Sequence, residues 1–410
     1  MPPETHTATA GLHGRRWALI ATADAGMFIF GVVLLLMGAW LPSLRVSTAQ
    51  AGYLGSLPLL GILVATIFCG PWLDRAGARP VLAAGFALVA AMLALMPALI
   101  PSGGASGAGG GLLAAAFIYG LGGGLLNTAT NALVADLAAL TPAGGGHAAR
   151  GRALNLLGFF FSLGAICAPL LMAAAGPHAA ALVLRGLAVA TALVLIPVLA
   201  LPFPAAARPG SHPRELLRVL NQPAVWLFGV LLFFESGQEN AIFVWAGKVA
   251  QGALGADARR AALVLVAVSA ALGCGRLLAV GWLRWIGSRW TMWGSAVGVM
   301  VGVGLALGAG SYGTMVAAFV VVGLGLAAIY PTALGLAADR FPGDTGTAFG
   351  AVITLSLLGG TAGPWVASRL AAVGPRWVLA LPLVASAAVL VLTGWAARTP
   401  RGPGGARSAA

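Results

Sequence analysis

Glu235 and Glu239 stand four residues apart in a long apolar run, so on a helix they share one face. An ionisable group at the centre of a membrane helix costs about 2.5–3.5 kcal/mol on insertion scales, and such groups persist where they face a cavity or a partner. Two carboxyls held together in a low-dielectric site cannot both ionise cheaply, so one is expected to carry a proton. That property suits a proton carrier. The structural alternative is a hydrogen bond or an ion pair. Asp24 and Arg276 are also set inside apolar runs. Asp24 lies about 10 Å along the first run at 1.5 Å per residue. It is a third proton-coupling candidate, or a partner for a basic group at an inner gate. Arg276 can neutralise one glutamate or hold an anionic solute. Otherwise it is an arginine that snorkels to the membrane surface. Asp136 and Asp339 fall near helix ends and are less telling.

Asn127 and Asn131 are again four apart, and their amides offer the donors and acceptors that a hydroxylated ligand needs. Asn155 and Gln238 can join them, and the Trp245 ring can stack on a sugar face. These five, with Arg276, make the candidate substrate contacts. Polar residues also hold membrane helices together, at about 0.6–2 kcal/mol each. Cys69, Cys167 and Cys274 lie in or beside apolar runs at no metal-ligand spacing and read as small buried hydrophobes. The five histidines fall in tails or loops. No metal or cofactor is expected.

The elements that position these groups follow from composition. Of 410 residues, 60% are hydrophobic and only 8% charged, with a mean hydropathy of +0.95. A soluble domain carries roughly 25% charged residues. The apolar runs are about 20 residues long and do not alternate, which favours membrane helices over a barrel. Spans are expected at 17–42, 51–71, 80–100, 110–138, 151–175, 179–202, 223–248, 259–283, 289–309, 312–337, 346–369 and 375–397. The first run is too long for a signal-peptide core and reads as the first span. The stretch 204–222 reads as a cytoplasmic linker between six-helix bundles at 17–203 and 223–398, with tails at 1–16 and 399–410. Fifteen of the 23 Arg and Lys fall on the side of the amino terminus and seven on the other, which places both termini in the cytoplasm. The +13 net charge is scattered rather than clustered, so no nucleic-acid partner is expected.

The two halves repeat. Gly120, Gly122 and Asp136 recur as Gly323, Gly325 and Asp339, each 203 residues on. Gly151, Gly164 and Pro169 recur as Gly346, Gly359 and Pro364, each 195 residues on. The fourth span maps to the tenth and the fifth to the eleventh, a parallel repeat. Pro169, Pro331 and Pro364 supply candidate bends. Gly120-Leu-Gly-Gly-Gly124 lacks the strand before it and the Lys-Ser/Thr after it that a nucleotide loop requires, and reads as close helix packing.

Between the second and third spans sits Gly70-Pro-Trp-Leu-Asp74-Arg75-Ala-Gly77-Ala-Arg79. It resembles the loop motif of the major facilitator superfamily, Gly-x-Leu-Ala-Asp-Arg-x-Gly-Arg-Lys. Gly70, Asp74, Arg75 and Gly77 match, Arg79 replaces Lys, and Trp72 and Ala78 depart. The resemblance implies a tight turn and a charged gate. The matching loop of the second half keeps Gly281, Arg284, Gly287 and Arg289 but no acid. Further pieces resemble the fucose-permease-like branch of sugar:proton symporters. They are Trp40-Leu-Pro42, Gly122 to Asn131, Arg152 to Asn155 through Gly164 and Pro169, Phe234 to Glu239 with Trp245, Gly275-Arg276 and Tyr330-Pro-Thr332. That branch carries acids in the first and fourth spans where this chain has Gly38 and Asn127, so its proton relay cannot be transferred to those positions.

The resemblance implies an all-α integral membrane protein of the major facilitator fold, with about twelve transmembrane helices in two six-helix pseudo-repeats. It implies a secondary active transporter in the cell membrane, moving a small polar, sugar-like solute by alternating access with protons or sodium. Membrane lipid is its medium and a monomer is expected. The alternatives are a proton-coupled exporter of apolar or cationic compounds and, in another class, a non-transport sensor or membrane enzyme. No catalytic cluster favours an enzyme.

Overall fold

The computed structural model describes residues 4–100, 109–139, 146–176, 179–204, 221–340 and 345–396. Most of the expected linker, 205–220, and the tail 399–410 lie outside them, and of Asp74 and Asn155 only the backbone is described. Among the described residues, twelve helices are long and apolar enough to cross a membrane. They are α1 (Arg16–Ser43), α2 (Thr48–Leu73), α3 (Ala78–Leu99), α4 (Gly110–Val134), α5 (Leu156–Ala175), α6 (Ala180–Ala200), α7 (Pro223–Leu254), α8 (Ala258–Ala279), α9 (Ser288–Leu307), α10 (Tyr312–Leu334), α11 (Gly350–Val373) and α12 (Pro375–Ala396). The expected spans match these within a few residues. α7 and α11 run beyond their expected ends at 248 and 369 because Gln251 and Arg369 are accommodated inside the helices rather than ending them.

The chain divides into two compact units. The first comprises Met1–Leu36, Leu60–Leu171 and His178–Gly210, and the second Met37–Leu59, Met172–Pro177 and Ser211–Ala410. The end of α1 and the first half of α2 thus pack with the second unit. Each unit repeats the other's crossings. A Cβ on Gly164 of α5 would fall 1.9 Å from the Phe28 carbonyl oxygen on α1, and one on Gly359 of α11 would fall 2.0 Å from that of Phe233 on α7. Gly122 of α4 rests on Gly85 and Val89 of α3, as Gly325 of α10 rests on Ser295 and Val299 of α9. One pair of each spacing, Gly164 with Gly359 and Gly122 with Gly325, therefore marks equivalent helix contacts. These are backbone approaches that only small residues permit, the usual basis of membrane helix packing.

The loop glycines repeat as well. Gly77 (φ 76°) precedes α3 and Gly287 (φ 78°) precedes α9, in a left-handed conformation that L residues with a side chain rarely adopt. The acid of the first loop is missing from the second, but the turn is kept. Proline explains two interruptions. In α10 the helix breaks at Ala327–Ala328, where Pro331 provides no N–H for the carbonyl four residues back. In α6 the break at Val194 precedes Pro197 in the same way. Pro169 and Pro364 lie inside continuous helices.

Candidate functional site

Within the second unit, three of the residues singled out by chemistry converge. α7 crosses α11 where Gly237 faces Gly359 and Gly363, and a Cβ on Gly363 would lie 2.1 Å from the Gly237 oxygen. This crossing fixes the adjacent turns that carry Glu235 and Glu239. Glu235 is fully buried and Glu239 is 8% exposed. From α8, Gly275 seats against Ala327 and Leu324 of α10, and the next residue is Arg276. An Nη2 of Arg276 stands 3.7 Å from Oε1 of Glu239. The arginine thus pairs with a glutamate inside the unit, the first of the three readings its position allowed.

Three further groups complete the cluster. Ser236 and Ser356, on α7 and α11, share a hydrogen bond of 2.6 Å between their hydroxyls. Tyr330, just after the break in α10, lies within hydrogen-bond reach of Ser356 and within electrostatic reach of Glu235, Glu239 and Arg276. Neither carboxylate oxygen of Glu235 makes a hydrogen bond of normal geometry among the described residues, while Glu239, Ser236 and Arg276 stand within electrostatic or hydrogen-bond reach of it. Sequence pattern marks Tyr330 only as part of a short motif and gives no role to Ser236 or Ser356. A serine on a Gly-rich helix carries no signal of its partner, because helix crossing brings the two together.

Other candidates are engaged differently. Trp245 is 3% exposed, and its indole N–H donates to the Pro364 carbonyl at 3.1 Å. Gln238 is buried and its Oε1 accepts from the Ser386 hydroxyl of α12 at 2.8 Å. Both side chains tie α7 to its neighbours. In the first unit, Asn131 donates to the carbonyl oxygen of Asn127 at 2.8 Å and to its side-chain oxygen at 3.1 Å. Both amides remain partly exposed on one face of α4. Asp24 is buried in α1, on the turn before Gly26, which packs on Thr130 and Phe86. No group of three or more metal-ligating side chains occurs among the described residues.

Gly38 of α1 sits where the chain leaves no room for a side chain: a Cβ there would fall 1.8 Å from the Phe243 carbonyl oxygen on α7. In the loop between α2 and α3, the Arg79 guanidinium donates to the Leu199 carbonyl of α6. This part of the motif therefore binds a helix end within its own unit.

The comparisons agree with the architecture. No curated protein matches the sequence. Among solved structures, the fold is similar to that of the nucleoside transporter NupG, at a TM-score of 0.71 and 14% identity over 93% of this chain and 98% of that one. It is similar to the D-xylose-proton symporter at 0.73 and 16% identity, covering 94% and 98%. The E. coli fucose:proton symporter FucP follows at 0.62 and 20%, covering 93% and 98%. At these identities the likeness concerns the fold. The family model described as the Major Facilitator Superfamily matches residues 16–283 and 237–410. With twelve apolar helices, paired crossings in both units and that match along nearly the whole chain, this is a multi-pass membrane transporter belonging to the Major Facilitator Superfamily.

Proposed function

We propose that the chain is a secondary active transporter that moves a small polar, sugar-like solute by alternating access and couples that movement to protons at Glu235 and Glu239. The observation that carries this reading is the charge balance around α7. Arg276 stands beside Glu239, and no second cation pairs with the buried Glu235 among the described residues. A bare charge at that depth is costly, so the pair is stable with one ionised carboxyl on Arg276 and one protonated carboxyl. Gain and loss of that proton changes the balance around Arg276 and around the Ser236, Ser356 and Tyr330 hydroxyls. Asn127 and Asn131 offer amide groups for solute hydroxyls. The named activities of the sugar symporters and the nucleoside transporter that share the fold fit this solute class.

The test is uptake into proteoliposomes of radiolabelled fucose, xylose and adenosine, with and without an acidic exterior. The reading predicts accumulation of at least one of these that rises with the inward proton gradient and collapses with a protonophore. Uptake indifferent to the gradient, or movement of none of the three alongside efflux of cationic dyes, would overturn it in favour of an exporter.

A further inference from the structure

A cavity of about 340 Å³ lies among α7, α11 and α12, lined by carbon. That volume falls within the roughly 300–1,000 Å³ of ordinary ligand pockets. Along α11 it runs from Gly359 through Ala362 and Val366 to Leu370, with Val384 of α12 on the other wall. Gln238 contributes to the floor, but its Oε1 is already engaged by Ser386. The lining holds neither the glutamates nor Arg276, although Gly237, Gly359 and Gly363 of the α7–α11 crossing form part of its wall.

Its extent matches one leaflet of a bilayer. Gly359 stands near the middle of α11 and Leu370 near its end, a length of about 16 Å at 1.5 Å per residue. Half of a hydrocarbon core roughly 30 Å thick is close to that. On α12 the lining starts within two turns of the helix start and ends near its middle, and on α7 it lies at mid-helix. Val384 is 65% exposed, so the wall opens on the surface of this unit. At the outer end of the groove the chemistry changes. Arg369 is exposed beside Leu370, with its guanidinium 5.0 Å from the Trp365 ring centre, and Trp377 is exposed at the start of α12. Exposed tryptophans beside an arginine at a span end form an interfacial anchor, and a cation there attracts anionic headgroups.

We propose that this groove is a phospholipid site: one acyl chain of an anionic phospholipid lies between α11 and α12, and its phosphate meets Arg369. Length, apolar lining and the placement of one cation at the interfacial end select a lipid tail over a polar solute. The site uses neither the glutamates nor Arg276, and its failure would leave the coupling reading untouched.

The experiment uses the full-length protein in liposomes doped with phosphatidylglycerol bearing a diazirine at mid-chain. After photolysis, labelled peptides are mapped by mass spectrometry. A matched phosphatidylcholine probe serves as the headgroup control. The expected result is label concentrated several-fold on 359–370 and 380–385 over the other membrane-facing helices. Val384→Phe, at an exposed position that leaves folding intact, reduces labelling by both probes. Arg369→Gln removes the preference for phosphatidylglycerol and leaves phosphatidylcholine labelling unchanged. Label spread evenly over all membrane-facing helices would overturn the site. Equal labelling by the two probes in the native protein would overturn the headgroup assignment.

Discussion

Arg276 can neutralise one of two glutamates on α7, and burial sets what its removal must do. With Arg276→Gln, Glu239 loses its ion-pair partner while remaining 8% exposed. Breaking a buried pair costs about 3–5 kcal/mol, and the partly exposed arginine puts this case at the lower end. The expected outcome is a large drop in apparent thermal stability in detergent, most of it restored by the double change Arg276→Gln/Glu239→Gln. Equal losses in the single and double variants would contradict the pairing. Trp245 makes the opposite point about residue type. A tryptophan among amides and acids reads as a sugar platform, yet it is packed away with its N–H on the Pro364 carbonyl. Trp245→Phe removes that hydrogen bond and should cost about 0.5–1.5 kcal/mol, with solute affinity unchanged by equilibrium binding. Residue type made Glu235, Glu239 and Arg276 readable as candidates. Their convergence was not readable, because it depends on which faces of α7 and α8 meet α10 and α11.

At the scale of elements, the spans were legible because each crossing must hide its backbone inside one apolar helix. The ends were less so: a polar residue near a boundary looks like a loop even when a partner accommodates it. Gln251 near the end of α7 donates to the Pro42 carbonyl at 3.0 Å and stays helical. The glycine repeats were legible as spacing, and the crossings give them a physical meaning. Gly359→Ala would drive a methyl group onto the Phe233 carbonyl of α7 and force α7 and α11 apart. Overpacking of this kind costs about 1–3 kcal/mol. Gly186, on α6, has open space around its Cβ position and is the matched control. Size-exclusion profiles after mild heating should show loss of the monodisperse peak for Gly359→Ala and for Gly164→Ala, but not for Gly186→Ala.

For the molecule as a whole, the division into units does not follow the midpoint of the chain. Residues 37–59 belong with the second unit, held by Gly38 on Phe243, Gly55 on Val244 and Gln251 on Pro42. The alternating access proposed above would open and close such a contact. Gly38→Ala removes the room for it. In a protein freed of Cys69, Cys167 and Cys274, Ser56→Cys should react slowly with maleimide, since Ser56 is buried. Adding Gly38→Ala should raise that rate several-fold. An unchanged rate would show that the contact does not govern access to this segment.

The most direct test of proton coupling at α7 is the proton itself. Proteoliposomes loaded with a pH-sensitive dye are exposed to whichever of fucose, xylose or adenosine the native protein accumulates. The native protein should acidify the lumen as solute enters. Glu239→Gln should abolish that acidification while retaining exchange of labelled for unlabelled solute, which needs no net proton movement. Glu239→Gln liposomes that still acidify at the native rate would contradict the account.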